Sequence, residues 1–464
     1  MITYIKINGF KSFHNFEMEF TPLTILAGVN ASGKSNLFDA LELLSLISEM
    51  KLKDAFINQR GDFLELFTQY NDTHRARYIE FVVEMLVNRQ VTDAWGATAE
   101  LKYTRLRYEV TIERMTTELG IEDLNVVSER LETLKHDDDQ WIKVIPTDYR
   151  NFWRPKVTSG RRGVPYIYTE RQNNVPTVFV PQDGVPGGKK RTYPLINASQ
   201  TVLSSINSVD FRHILAAKEE MKSWRFLRFN PADLREPTNK YSGEDIISAT
   251  GKNLAAALFR MKRQDPYVLV EISRELNQFI PNFTQVDVID DIEHKQYLIQ
   301  LQEADGKIFS SRVLSEGTLR LLALCILKYD EKFSGLLCFE EPENGIHPFR
   351  VNDMARLLKK LTTDFTDTGS SLRQVIVNTH SPVIVGAIFN WSLDKTVSIW
   401  YSQMRSRTTD IDNDRVQFNV TKISPVSKDL TIQLTLPFSK PELKTTLSTV
   451  QKYLQTAEKL EDNC

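Results

Sequence analysis

Four short blocks of this chain combine residue types that suit the handling of a phosphate-bearing ligand. The first is Gly28-Val29-Asn30-Ala31-Ser32-Gly33-Lys34-Ser35, which fits the G-x-x-x-x-G-K-[ST] pattern. Glycines there let successive backbone N–H groups turn inward and cradle phosphate oxygens. A helix starting near Lys34 would aim its positive end at the same anion. The expected nucleotide contacts are Gly28, Asn30, Ala31, Ser32, Gly33, Lys34, Ser35 and Asn36, with ATP as the ligand. Lys34 should neutralise the β and γ phosphates and assist catalysis, and the Ser35 hydroxyl should bind Mg2+.

The second block, Leu336-Leu337-Cys338-Phe339-Glu340-Glu341-Pro342-Glu343, ends an apolar run with carboxylates. Ligands collect at the carboxyl edge of parallel sheets. Glu340 is therefore the expected Mg2+ residue, directly or through water, and Glu341 the expected base for an attacking water. The third block is Ser315-Glu316-Gly317, opening an apolar helix. Alone it could be an ordinary serine cap. Since the chain already has one phosphate cradle, the alternative is that this one serves the γ-phosphate held by a second copy. The fourth is His380, in Asn378-Thr379-His380-Ser381-Pro382 after the apolar strand Val375-Ile376-Val377. A histidine there can bond a γ-phosphate or the attacking water, although a lone histidine can equally be a satisfied core residue.

Elements that would position these blocks follow from periodicity. Residues 4–7 and 16–20 alternate like paired strands, and 24–27 form a short apolar strand entering the glycine loop. Leu37, Phe38, Leu41, Leu44, Leu46 and Ile47 fall at helical spacing behind it. Long strands are expected over 77–86 and 100–113, making a flanking antiparallel sheet. A hairpin is expected around Asn173-Asn174. Helices are expected at 200–222, 252–279 and 317–329, with buried strands at 335–339 and 374–378. Further strands are expected at 397–401 and 416–420. They precede an amphipathic helix carrying Leu443, Leu447, Val450, Leu454 and Ala457, which would pack on its own head or dock a partner.

Composition bounds the rest. The 464 residues suit more than one lobe, 41% are hydrophobic and 25% charged, and the formal net charge is −2. With no global basic field, DNA binding would need a local patch. One candidate runs through 150–191, with Arg150, Arg154, Lys156, Arg161, Arg162, Arg171, Lys189, Lys190 and Arg191 beside Tyr149, Trp153 and Tyr166. Basic side chains could track phosphates while aromatic rings stack on bases. The stretch could equally be a solvated or protein-docking surface. Cys325, Cys338 and Cys464 do not make a disulfide framework, and the first two read as core. No signal-like or membrane-length apolar run is evident, so the expected location is cytoplasmic. After His380 the only Asp-x-Asp run, at Asp410, Asp412 and Asp414, reads as a turn rather than a nuclease site.

Taken in order, the four blocks resemble the ABC-type ATPase heads of the RecF/OLD/SMC group. They are most similar to the compact AAA-family members found in bacterial anti-phage systems such as Septu, PARIS and Gabija. The resemblance implies an α/β fold: a mixed P-loop sheet with helices, a flanking antiparallel sheet and an inserted α+β lobe. On that pattern residues 1–135 and 301–395 form two halves of the head, 136–300 the insert and 396–464 a terminal addition. It also implies a homodimer, or a larger assembly of such dimers, with each ATP held between one copy's lysine loop and the other's Ser315-Glu316-Gly317 signature. Asn344 and Gly345 would occupy the D-loop, Lys11 would approach the nucleotide, and Gln69 would be the Q-loop candidate. The gap between Lys34 and Ser315 holds neither a long coiled coil nor a membrane domain, which favours the compact type. Two outputs follow: control of a separate effector, a nuclease, in anti-phage defence, or RecF-like DNA binding in repair.

Overall fold

The computed structural model describes residues 1–155, 164–184, 190–243, 246–391, 393–411, 414–427, 445–446, 450 and 452. Its organising element is a mixed sheet. The strands and helices that matter to the site are β1 (Leu23–Ala27), α1 (Lys34–Ile47), β2 (Arg225–Leu227), α2 (Glu316–Tyr329), β3 (Gly335–Glu340), β4 (Arg373–Thr379), β5 (Val397–Ile411) and β6 (Asp414–Ser427). Among the described residues the sheet order is β2-β3-β4-β1-β5-β6, closed by Thr445–Thr446. Strands β2, β3, β4, β1 and β5 run parallel, and β6 returns antiparallel to β5.

Alternation along the strands explains how both faces are covered. Leu26, Leu336, Cys338, Ile376 and Trp400 point into one core with α1. Ile25, Leu337, Phe339, Val375, Val377 and Ile399 point into the other, with α2 and the helices Val351–Lys360 and Pro382–Phe389. A strand buried on both faces reads as a continuous apolar run, which is why 335–339 and 374–378 were legible. Cys325 and Cys338 lie in these cores, and burial pushes both thiols up.

A five-stranded antiparallel sheet lies against the α1 side, in the order Phe16–Glu19, Ile2–Asn8, Tyr78–Leu86, Arg105–Thr116, Glu122–Thr133. The strand expected over 100–113 is divided. Thr98–Glu100 pairs with Gln90–Thr92 in a small hairpin, and the long strand starts at Arg105. Its partner Glu122–Thr133 carries a register shift opposite Thr111/Ile112. That irregularity breaks the two-residue rhythm, which hides the strand from pattern reading. The hairpin at Asn173-Asn174 is present, both asparagines having positive φ (50° and 64°) as a two-residue turn requires.

Segment bounds differ from expectation in two places. Within 136–300, Arg225–Leu227 is an edge strand of the central sheet, beside β3. Within 396–464, β5 is the direct neighbour of β1, pairing Val397–Tyr401 with Leu23–Ala27. Long-range pairing of this kind leaves no mark in local composition. The strands expected at 397–401 and 416–420 are also longer, because β5 and β6 continue as a ribbon to Ile411↔Asp414. Asp410 and Asp414 thus lie at the paired end of this ribbon, and Asp412 lies outside the described residues. The helix expected around 443–457 lies mostly outside the described residues; Thr445–Thr446 pair with Val426–Ser427, and Val450 is buried. No helix among the described residues is long and apolar enough to cross a membrane.

Candidate active site

The glycine loop leaves β1 and enters α1 through two left-handed residues, Ala31 (φ 60°) and Gly33 (φ 88°). Alanine tolerates that region poorly, at about 1–2 kcal/mol. Gly33 also abuts the Thr421 side chain of β6, and a Cβ on Gly28 would stand 2.6 Å from the Ser402 carbonyl of β5. Ser402 donates to the Ser32 carbonyl at 2.7 Å. The β5–β6 ribbon therefore braces the back of the loop. Lys34 is buried, and its Nζ donates to the Gly28 and Val29 carbonyls at 2.7 and 2.8 Å.

In front of the loop lies a cavity of about 210 Å3 lined by Asn30–Asn36, Glu341, Asn378 and Met404. Four segments far apart in sequence thus share one site. Three of those segments were expected or lie in an expected block. Met404 was not, because nothing local distinguishes it from other residues of an edge ribbon.

Strands β3 and β4 present their carboxyl ends to this cavity. Glu340 and Asn378 are register partners on adjacent strands, so they share a face, the one covered by α1. Asn378 Nδ2 reaches Ser35 Oγ at 3.5 Å. Glu340 Oε1 and Asn378 Oδ1 are both buried without a hydrogen-bond partner. A hydroxyl, a carboxylate oxygen and an amide oxygen form a hard-oxygen donor set, so the residues present fit Mg2+. Glu340 Oε2 stands 3.1 Å from Arg228 Nε, a pairing between strands that sequence reading missed.

Glu341 lies just past the end of β3 with φ 47°, a strained value for a residue with a side chain. The bend carries its carboxylate out of the strand alternation and into the cavity. There Oε1 meets His380 Nδ1 at 2.9 Å, and Asn344 Nδ2 donates to Oε2 at 2.7 Å. The His380 hydrogen bond is the main reason the Glu341 carboxyl is lowered, with burial opposing it. The same bond raises His380 against its own desolvation. Glu343 turns the other way; it is buried against Thr379, and desolvation raises it.

The signature block forms a separate surface. Ser315 caps α2, its Oγ accepting from Thr318 N at 3.2 Å, so the plain capping role is real. A Cβ on Gly317 would meet the Gly345 carbonyl at 2.6 Å, and Gly345 itself has φ 73°. Signature and D-loop are therefore packed together within the chain, while Ser315, Glu316 and Gly317 do not line the lysine-loop cavity.

Other expected positions lie elsewhere. Lys11 does not line the cavity; its Nζ pairs with Asp39 of α1 at 2.7 Å and donates to the Arg60 carbonyl. Gln69 is exposed and bridges to Arg75, with no place in the cavity. In the 150–191 stretch, Trp153 and Tyr166 are core residues, Tyr166 stacking on His213 and Trp153 donating to the Phe365 carbonyl. Rings buried this way offer no stacking platform. Arg154 is likewise buried, against Asp139. Arg171, Lys190 and Arg191 are exposed, and Lys156, Arg161, Arg162 and Lys189 lie outside the described residues.

Comparison with known proteins matches the AAA ATPase domain family over residues 1–147. A second family, described as AAA domain, putative AbiEii toxin, Type IV TA system, matches residues 194–386. The two matches bring together the lysine loop and the Glu340-Glu341/His380 half. Both matched families are AAA domains, and together they support a compact AAA/ABC-type ATPase. The central sheet draws strands from both matched stretches, β4 pairing with β1. Comparison with curated proteins finds no match. Among solved structures, an Smc head bound to the C-winged helix domain of ScpA is 15% identical over 90% of this chain and 98% of that one, with a TM-score of 0.47. The SMC head domain from Thermotoga maritima is 13% identical over 92% and 99%, at 0.36. The Smc head with a coiled coil and joint from Pyrococcus yayanosii is 14% identical over 98% and 99%, at 0.43.

Proposed function

We propose that this ATPase binds ATP with Mg2+ at the lysine-loop cavity and hydrolyses it with Glu341 as base, in a head-to-head homodimer whose signature surfaces complete the sites. The observation that carries the reading is the meeting of Ser32–Ser35, Asn378 and Glu341 around one cavity, with His380 bonded to Glu341 and Ser315–Gly317 outside the lining. Three exposed apolar side chains favour a second copy as the missing wall: Val313 beside the signature, Phe349 after the D-loop and Val383 after His380.

In this scheme Lys34 exchanges the carbonyls of Gly28 and Val29 for phosphate oxygens, and the inward-facing N–H groups take the rest. Ser35 and Glu340, with Asn378 beside them, would hold Mg2+, which when bound would neutralise charge developing on the phosphates. Glu341 is held out of service by His380 and Asn344. A γ-phosphate that draws His380 away removes the donor that lowers Glu341, so the carboxylate becomes a stronger base when substrate is in place. The output we propose is control of a separate effector, a nuclease in bacterial anti-phage defence. Its support is the resemblance set out above and the toxin–antitoxin description of the matched family.

Glu341→Gln tests the scheme. It should bind ATP like the parent, lose turnover by about 10²–10⁴-fold, and accumulate as an ATP-dependent dimer in sedimentation. A nuclease expressed with it should then remain fixed in one activity state. Turnover at the parent rate would show that another group is the base, and a monomer at saturating ATP would end the dimer reading.

A further inference from the structure

Arg228 follows β2 and so emerges at the same carboxyl edge as Glu340, one strand away. Its guanidinium lies 3.1 Å from Glu340 Oε2 and 3.9 Å from Asp39 of α1. Asp39 is buried and already held by Arg60 and Lys11, each at 2.7 Å. Glu42, one turn along α1, shares this field; burial raises it and Arg228 opposes the rise. The Arg228 side chain is 37% exposed, against 1% for Asp39. Of this group it is a cation with room to move, and it touches the carboxylate assigned above to Mg2+.

The chain beyond Arg228 runs straight to the signature. The Phe229 carbonyl accepts from Arg320 of α2 at 3.1 Å, and Arg320 also pairs with Glu316 at 2.8 Å. The Phe229 ring meets Phe339 of β3 edge-on at 4.9 Å. Arg235 Nε then donates to the Leu314 carbonyl at 3.3 Å, and Ser311 Oγ donates to the Arg235 carbonyl at 2.9 Å. Residues on both sides of Ser315 are thus tied to the segment 228–235.

We propose that Arg228 is a positioning residue that competes with a divalent cation for Glu340, and that segment 228–235 passes the exchange to the signature turn. This rests on the reading of Glu340 as the metal carboxylate. If a cation drew the Glu340 carboxylate to itself, the guanidinium would lose its partner, and the Phe229 and Arg235 tethers would shift the turn at 311–320. Metal loading at one copy's cavity would thereby set the surface offered to the other copy.

The test is a Mg2+ titration of full-length protein with a fluorescent, slowly hydrolysed ATP analogue, with hydrogen exchange followed at residues 311–320. Arg228→Met should lower the Mg2+ half-saturation roughly five-fold and abolish the Mg2+-dependent exchange change seen in the parent. In a Glu340→Gln background the same substitution should shift nothing further. If Arg228→Met folds poorly, Arg228→Lys, which keeps the charge but loses the fork, should shift half-saturation the same way by a smaller factor. An unchanged half-saturation, an equal shift in both backgrounds, or an exchange response that persists overturns the proposal while leaving the ATPase reading intact. A parent whose analogue binding ignores Mg2+ overturns both.

Discussion

At the scale of single residues, the site is a set of carboxylates given different work by their surroundings. Glu340 is in register on β3, Glu341 is bent off it and Glu343 is buried against Thr379. The Glu341–His380 pair is the one whose protonation can be followed directly. Because the folded His380 value is raised, its contribution to stability is complete below the ordinary imidazole pKa and is lost as pH rises through the raised value. Because the Glu341 value is lowered, its contribution is present above the ordinary carboxyl pKa and is lost as pH falls through the lowered one. The pair's contribution should therefore be complete from about pH 4.3 to about pH 6.5, and be lost only above the raised His380 value and below the lowered Glu341 value. In Glu341→Gln, the His380 imidazole followed by NMR should titrate at a lower pH than in the parent. An unmoved midpoint would show that the pairing does not exist in solution. Sequence reading identified both residues, since each ends an apolar strand. It could not identify Arg228 or Met404, whose roles depend on which strands become neighbours.

At the scale of elements, Gly317 shows how two motifs act as one. Its missing Cβ is what lets α2 seat on the D-loop, where the Gly345 carbonyl would lie 2.6 Å from an added methyl. Backbone cannot yield as a side-chain tip can, so Gly317→Ala should separate the signature from the D-loop. Binding of ATP at the lysine loop should survive within about two-fold, while turnover falls by about ten-fold or more. Filter binding and phosphate release, measured on the same preparation, check this. A parallel loss of both would indicate misfolding rather than a displaced signature surface. The elements themselves were legible where one physical rule dominates: apolar runs for strands covered on both faces, Asn173-Asn174 for a turn needing positive φ, helical spacing after Lys34. They were obscured where a bulge broke alternation, as in Glu122–Thr133, or where an edge ribbon such as β5–β6 is polar along much of its length. The aromatic residues between 149 and 166 misled for a related reason. Composition reports that Trp153 and Tyr166 are present, and only packing decides whether they face water.

At the scale of the whole molecule, the Ser315–Gly317 turn does not line the lysine-loop cavity of its own chain, and on the proposed dimer reading this makes a mixing experiment decisive. Lys34→Ala removes a charge-assisted contact and should weaken ATP binding on the order of 100-fold. Ser315→Arg should leave the lysine loop intact but block the cap it offers to a second copy. Each variant alone should be inactive. A mixed dimer contains one damaged pair, Lys34→Ala facing Ser315→Arg, and one intact pair, in which the unmodified lysine loop of the Ser315→Arg chain faces the unmodified signature of the Lys34→Ala chain. Mixing should therefore restore activity, up to about half the parent level for independent sites at full heterodimer formation, and restoration should require ATP and rise with protein concentration. If each chain instead closed its own signature over its own nucleotide, no mixture could recover anything, because every site would carry one defect. Recovery without concentration dependence would point to a preformed dimer in which ATP adjusts an existing contact. The exposed Val313, Phe349 and Val383 side chains provide a control, since charging Phe349, which lies outside the lysine-loop cavity, should prevent recovery while leaving ATP binding by the Ser315→Arg chain unchanged.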